Sequence, residues 1–235
     1  MISVCIATYN GEKYILEQVE SILSQLDKSD EIIISDDGSK DETLKILSNI
    51  GDERVKIFHN KGKHGVVPNF ENALNHSTGD VIFLSDQDDT WLAGKVEACI
   101  NALSDCDLVI HNAKVNYVEG NYKDNDYYHI RHSGPGYLYN LWKNTYLGCC
   151  MAFKKEVKSY ILPFPKHILW HDMWIALMVE LKGKTKFIDG IYLNYRRHGD
   201  NASDSSEKST FSRWFQFKYR CYFLYYTLIR NFLKY

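Results

Sequence analysis

The segment Ser85-Asp86-Gln87-Asp88-Asp89 sets three carboxylates directly after the apolar run Val81-Ile82-Phe83-Leu84. Such a run ahead of a polar cluster reads as a buried strand opening into a loop. Carboxylates crowded at one strand end repel one another unless a cation or hydrogen-bond donors compensate. Asp86 and Asp88 are two apart, so in extended chain they face the same way and make a grip for a hard divalent ion held by oxygens. An isolated Asp-x-Asp is more often a polar turn, so the neighbouring clusters decide. After the first strand, Ala7-Thr8-Tyr9-Asn10-Gly11-Glu12 opens a helix, where backbone N–H groups can meet an anion or a base carbonyl. No Gly-x-Gly-x-x-Gly dinucleotide fingerprint is present, and Asn10 alone reads as a helix N-cap. After the second strand, Ser35-Asp36-Asp37-Gly38-Ser39-Lys40-Asp41 ends in two carboxylates, with Gly38 allowing a sharp turn. A carboxylate there can accept from a pyrimidine N3–H or from ribose hydroxyls. Ser39 or Asp41 suffices for a cap, so the double Asp points beyond a turn.

The elements that position these clusters alternate along the first half of the chain. Strands are expected at Ile2–Ala7, Glu31–Ser35, Arg54–Phe58, Asp80–Leu84 and Leu108–His111. Helices are expected at Glu12–Leu26, Asp41–Ile50, Pro68–Asn75 and Leu92–Leu103; the first carries Ile15, Val19, Ile22, Leu23 and Leu26 on one stripe. This alternation implies an α/β fold with a mostly parallel sheet covered on both faces. Ligands of such sheets sit outside the carboxyl ends of the strands, so the loops after Ala7, Ser35 and Leu84 should share one rim. The second half is less regular. Asn116–Pro135 reads as a polar, Tyr-rich loop, Tyr137–Thr145 as a helix and Cys149–Phe153 as a strand. Asp172–Leu181 reads as a helix with Asp172 at its start, Phe187–Tyr195 as a strand and Gly199–Ser209 as a mobile loop. No linker divides the chain.

Composition narrows the function classes. The 235 residues are 45% hydrophobic and 25% charged, ordinary globular values. A net charge of −2 supplies no field that favours nucleic acid. The start, Met1-Ile2-Ser3-Val4-Cys5-Ile6-Ala7, reads as a first strand, not a signal peptide. No stretch approaches the roughly 18 apolar residues of a spanning helix. Six cysteines without Cys-x-x-Cys spacing read as free thiols of a reducing cytoplasm.

Taken together, the sequence resembles family 2 glycosyltransferases of the GT-A fold. The matching pieces are Ala7-Thr8-Tyr9-Asn10; Ser35-Asp36-Asp37-Gly38-Ser39 with Asp41 and Thr43; Ser85-Asp86-Gln87-Asp88-Asp89 with Trp91; Gly148–Phe153; His171-Asp172; and Tyr195-Arg196-Arg197-His198-Gly199. Asp-Gln-Asp-Asp-x-Trp with Tyr-Arg-x-His-Gly further resembles a bacterial rhamnosyltransferase-like subgroup that serves capsule, O-antigen and cell-wall polysaccharides. The resemblance implies a single domain over residues 1–205, with residues 1–112 binding the nucleotide sugar and 113–205 the acceptor. It implies that Thr8 and Asp37 hold the nucleobase with Tyr9 and Asn10 beside them, Asp36 or Glu12 lies near the ribose, and Asp86 lies near ribose and metal. Asp88 would ligate Mn²⁺ or Mg²⁺, with His198 completing the shell or joining Arg196 and Arg197 on the diphosphate. Asp172 would be the general base of a one-step, inverting displacement. Relatives often carry Glu-Asp where this chain has His171-Asp172. Trp91, Gly148, Cys149, Trp170 and His171 would line the sugar or acceptor site, although Trp174 and its like more often pack a core. The donor expected is dTDP-L-rhamnose or a UDP-hexose, and the acceptor a glycan or a lipid-linked glycan.

Phe211–Tyr235 is aromatic and basic, with Arg213, Lys218, Arg220, Arg230 and Lys234 and no Asp or Glu. That composition suits an amphipathic helix on the anionic inner face of the plasma membrane. Packing on the catalytic domain or on a second subunit, as a homodimer, is the alternative. Three other functions compete. A sugar-nucleotide pyrophosphorylase would carry a Gly-rich phosphate loop, which Ala7–Glu12 is not. A glycoside hydrolase pairs carboxylates but has no need of nucleotide loops. A non-catalytic nucleotide-sugar-binding module needs no base.

Overall fold

The computed structural model describes residues 1–117, 126–198 and 211–232. The expected loop Gly199–Ser209, the boundary at 205, and residues 118–125 and 233–235 lie outside the described residues. Strands β1 (Ile2–Thr8), β2 (Glu31–Asp36), β3 (Val55–His59) and β4 (Val81–Ser85) alternate with helices α1 (Ile15–Leu23), α2 (Thr43–Asn49) and α3 (Val66–His76). Val4–Ile6, Ile32–Ile34 and Ile82–Leu84 are fully buried, the signature of strands covered on both faces. β1 pairs in parallel with both β2 and β4, so their carboxyl ends meet on one rim, as the sequence implies. Helix α1 buries Ile15, Val19 and Ile22 against the sheet, and its buried Gln18 donates to Ser85 Oγ and to the Asp86 carbonyl, at 2.9 Å for the latter.

Beyond β4 the sheet changes character. It continues through β5 (Thr90–Trp91), α4 (Lys95–Leu103), β6 (Leu108–Tyr117), α5 (Tyr127–Arg131), α6 (Tyr137–Trp142), β7 (Met151–Lys154), α7 (Lys158–Ile161), α8 (His171–Lys182) and β8 (Thr185–Arg197). The strand order is β3-β2-β1-β4-β7-β6-β8-β5, with β7 antiparallel to both of its neighbours and β5 antiparallel to β8. The sheet is therefore mixed, and only its first half is the uninterrupted parallel array expected. Strand β6 also runs six residues past His111, because its partner β8 remains in parallel register to Arg197. Tyr127–Arg131, expected within a loop, is a helical turn capped by the Asp126 side chain.

Helix α9 (Arg213–Phe232) packs one face on the domain. Tyr219, Phe223 and Thr227 are buried, the Tyr137 hydroxyl bonds Thr227 Oγ1, and the Tyr219 hydroxyl accepts from the Leu169 N–H. Its other face exposes Trp214, Phe217, Leu224, Tyr225, Leu228 and Phe232. No helix among the described residues is long and apolar enough to cross a membrane. All six cysteines are free thiols, five of them buried.

Candidate active site

A cleft of about 730 Å³ opens at the carboxyl rim of β1 and β4 and runs under α9. One end is built from the loops after β1 and β2. The Asp37 N–H donates to the Thr8 carbonyl at 2.9 Å, and Asn69 Nδ2 on α3 donates to the same oxygen at 3.1 Å. Asp37 is itself held on both oxygens, by Asn60 Nδ2 at 2.8 Å and the Gly65 N–H at 2.7 Å. Asp37 Oδ1 also meets His64 Nδ1 at 3.1 Å, so Oδ2, with one donor, keeps a second lone pair for a ligand. Gln87 is the latch of this end: its Oε1 accepts from Thr8 Oγ1 at 2.7 Å and the Tyr9 N–H at 2.9 Å, and its Nε2 donates to the Tyr9 carbonyl at 3.1 Å. A Cβ on Gly11 would lie 2.5 Å from Gln87 Oε1, so the latch also requires glycine there. Gln87 sits inside the acidic motif, yet only the pairing of β1 with β4 shows what it touches.

The middle of the cleft is acidic. Asp88 Oδ2 meets His198 Nε2 at 2.8 Å, and the His198 ring stacks on Tyr14 at 5.0 Å. Asp89 is fully buried; its Oδ1 accepts from the Arg196 N–H at 3.0 Å while its Oδ2 has no hydrogen-bond partner. Asp86, Asp89 and Cys149 bring one ligand atom each within 4.8 Å of one another. Burial, aided by the neighbouring Asp88 and Asp172 carboxylates, pushes Asp86 up to about 7, and burial raises Asp89 as well. A fully buried Lys95 lies below, donating to the Cys149 carbonyl at 2.8 Å with its ammonium 4.0 Å from the Trp91 ring centroid.

Asp172 and His171 form the facing wall at the start of α8. The N-cap position belongs to Trp170, so Asp172 stands in the first helical turn instead of capping it, and its Oδ1 accepts from the Met173 N–H at 2.7 Å. Burial pushes Asp172 up to about 6. His171 stacks on Phe70 at 4.1 Å, and burial lowers it to about 3, which keeps the ring neutral. Gly148 fits against this pair: a Cβ there would lie 3.0 Å from His171 Nε2 and 3.4 Å from the Asp172 Cβ.

Several residues singled out in the sequence are turned to structural use. Asp36 is fully buried and accepts from the Gly38 and Ser39 N–H groups and the Ser39 hydroxyl, so the turn after β2 consumes it, not a ribose. Asn10 Oδ1 accepts from the Lys40 N–H at 2.8 Å and Glu12 Oε2 from the Glu42 N–H at 2.9 Å, stitching the two loops together. Asn10 also holds a left-handed φ of 48° and caps no helix. Trp91 and Cys149 are buried beneath the acidic loop, off the cleft wall. Arg196 spans Tyr14 to bond Glu17 Oε2 at 2.9 Å, and Arg197 closes β8 opposite Tyr117, both away from the wall. Thr8, Tyr9, Asp37, Asp86, Asp88, Gly148, Trp170, His171 and Asp172 do share the cleft. Arg131, Trp142 and Lys143, which no motif marks, and Arg220, expected only as a basic residue of the tail, line its far end from α5, α6 and α9.

Comparison with known proteins accords with this layout. Escherichia coli WfgD and WfaP, each named UDP-Glc:α-D-GlcNAc-diphosphoundecaprenol β-1,3-glucosyltransferase, are 25% and 29% identical to this chain over 91% and 88% of its length, and 84% and 82% of theirs. Staphylococcus aureus TarS, solved with UDP-GlcNAc, shares the fold at a TM-score of 0.68 with 18% identity, covering 95% of this chain and 71% of TarS fragment. The Pyrobaculum calidifontis mannosyltransferase PcManGT, solved with GDP-Man and Mn²⁺, gives 0.62 and 20%, over 81% of this chain and 54% of that one. The model of the family described as "Glycosyl transferase family 2" matches residues 3–162, more than half of the chain, and the protein therefore belongs to that family of glycosyltransferases.

Proposed function

We propose that the protein transfers a hexose, with inversion, from a nucleotide sugar to a hydroxyl of a lipid-linked or growing surface glycan. The carrying observation is that Asp172 faces the Asp86–Asp88 edge across one cleft whose end is formed by Thr8, Tyr9 and Asp37. Thr8 and Asp37 take the nucleobase, with the half-exposed Tyr9 ring beside it, and Asp86 lies toward the ribose. Asp89, whose Oδ2 is orphaned, clusters with an Asp86 oxygen and the Cys149 thiol, and these carboxylates with the neighbouring Asp88 fit Mn²⁺ or Mg²⁺, hard ions that take oxygen ligands, with the Asp88-bound His198 imidazole as a fourth donor. When bound, such an ion neutralises the charge gathering on the departing diphosphate. Asp172 accepts the proton of the acceptor hydroxyl as that oxygen attacks the anomeric carbon from the face opposite the diphosphate. The fixed N–H of Met173 keeps the carboxylate pointed.

The names of WfgD and WfaP favour UDP-glucose as donor; dTDP-L-rhamnose, which the rhamnosyltransferase-like motifs imply, is the competing donor. A cytoplasmic protein resting on the membrane through the exposed face of α9 suits a lipid-linked acceptor. The test is a thermal-shift panel of UDP, dTDP and GDP with and without Mn²⁺. Metal-dependent stabilisation by one nucleotide is expected; no response to any of the three refutes the proposal.

A further inference from the structure

We infer that the far lobe of the cleft is a phosphate site, so that the acceptor is a sugar carrying a phosphate ester near the hydroxyl that attacks. This rests on the glycosyltransferase reading above and adds the acceptor's chemical class. Three cations converge on one short segment, residues 142–144. Arg220 donates through Nε and Nη2 to the Trp142 carbonyl at 3.0 and 2.7 Å and covers the Trp142 ring at 4.4 Å. Arg131 donates through Nη2 to the Asn144 carbonyl at 2.7 Å, and its buried Nε has no partner. Lys143 stands between them. All three line the cleft beside Trp142, Trp170 and Tyr219.

Carbonyl oxygens engage both guanidiniums without neutralising them. Among the described residues no carboxylate lies within ion-pair distance of Arg131, Lys143 or Arg220, and of Lys143 only the backbone N–H is hydrogen-bonded, to the Tyr139 carbonyl at 2.8 Å, while its ammonium makes no hydrogen bond. The Arg131 charge is near enough to Asp172 to favour its ionised form slightly. Unneutralised cations in an aromatic, half-enclosed lobe are a poor place for a neutral sugar and a good one for a phosphate, whose oxygens take guanidinium forks and a lysine point charge together.

The test uses the full chain, UDP-glucose with Mn²⁺, and two acceptors sharing one sugar: octyl N-acetylglucosaminyl diphosphate and neutral octyl N-acetylglucosaminide. Free N-acetylglucosamine 1-phosphate separates the phosphate contribution from that of the alkyl chain. The expected result is a kcat/KM at least tenfold higher for both phosphorylated acceptors than for the neutral one. Lys143→Ala, which removes an ammonium with no hydrogen bond or ion pair to lose, should collapse that preference through KM while leaving kcat within about twofold, and Lys143→Glu should reverse it. Equal use of charged and neutral acceptors, or an unchanged preference in both variants, overturns the inference. If UDP still stabilises the protein in that case, the glycosyltransferase reading stands; if UDP fails to bind, it is that reading which falls.

Discussion

Replacing Asp172 by Asn separates chemistry from architecture at the cleft. Asn keeps an oxygen for the Met173 N–H, which reaches Asp172 Oδ1 at 2.7 Å, so the wall should hold its shape. Burial lifts the Asp172 carboxyl from 3.8 to about 6. That shift costs the ionised form about 3 kcal/mol in the folded protein, a ceiling that residual solvent contact lowers toward about 1 kcal/mol. The sign follows from proton binding. Between pH 4 and 6 the unfolded chain releases this proton while the folded protein retains it, so stability falls as pH rises through that window and is flat above it. The Asn variant lacks this fall and should melt higher than the parent at pH 7, by about 2–4 °C per kcal/mol for a chain of this size. Removing the charge also lets Asp86 ionise more readily, which acts in the same direction. Activity should move the opposite way, because losing a general base costs on the order of 10²–10⁴ in rate. The parent's kcat/KM should rise with pH along a limb near 6 that the variant does not show. Nucleoside diphosphate release measured from pH 5 to 8, beside melting curves over the same range, reads both effects. A variant that transfers within tenfold of the parent, or melts lower at pH 7, refutes the assignment.

Gln87→Leu should leave Thr8 Oγ1 and the Tyr9 backbone without partners at a cost of about 1–3 kcal/mol, seen as a lower Tm and a weaker nucleotide-induced shift. Asp88→Ala should abolish the Mn²⁺-dependent part of that shift while leaving the metal-free melting point within a few degrees. Gly148→Ala forces a methyl to 3.0 Å from His171 Nε2 and should lower kcat more than it weakens UDP binding, as steady-state kinetics and calorimetry would show. Trp214→Ala with Phe217→Ser removes two exposed rings of α9 and should halve or better the co-sedimentation with anionic vesicles without changing Tm. Unchanged sedimentation, or a change in sedimentation equilibrium mass instead, would assign that face to a second copy of the chain.

The parallel half of the sheet was legible because its signals are local. The runs at Glu31–Ser35 and Asp80–Leu84 lie within one residue of the observed strands, and the stripe Ile15, Val19, Ile22 is the buried face of α1. The strand expected at Cys149–Phe153 is β7, but its antiparallel place between β4 and β6 was hidden because it depends on partners far along the chain. The same distinction governs the site. Asp37 and Asp172 stand on the cleft, and their strand-end and helix-start positions are written in short motifs. Asp36, Asn10 and Glu12 look alike in sequence, but which neighbouring carboxylate faces ligand and which closes a turn is decided by loop-to-loop bonds that no motif records. Arg131, Lys143 and Arg220 come from three segments with no common pattern, so only their meeting at residues 142–144 reveals them.

The adjacent residues Gly148 and Cys149 act as a gauge. Gly148 abuts His171 and Asp172, on the side proposed to accept the proton, while Cys149 reaches Asp86 and Asp89, on the side proposed to hold the diphosphate. The offset between the two sides is thereby tied to a single peptide unit, about 3.8 Å from one Cα to the next. A change of donor or acceptor size cannot be met by stretching that step, and an inserted residue would carry the base out of line with the departing group. Diversification within such a scaffold is pushed outward, to the helices that roof the cleft, where walls can be exchanged while the reacting distance stays fixed.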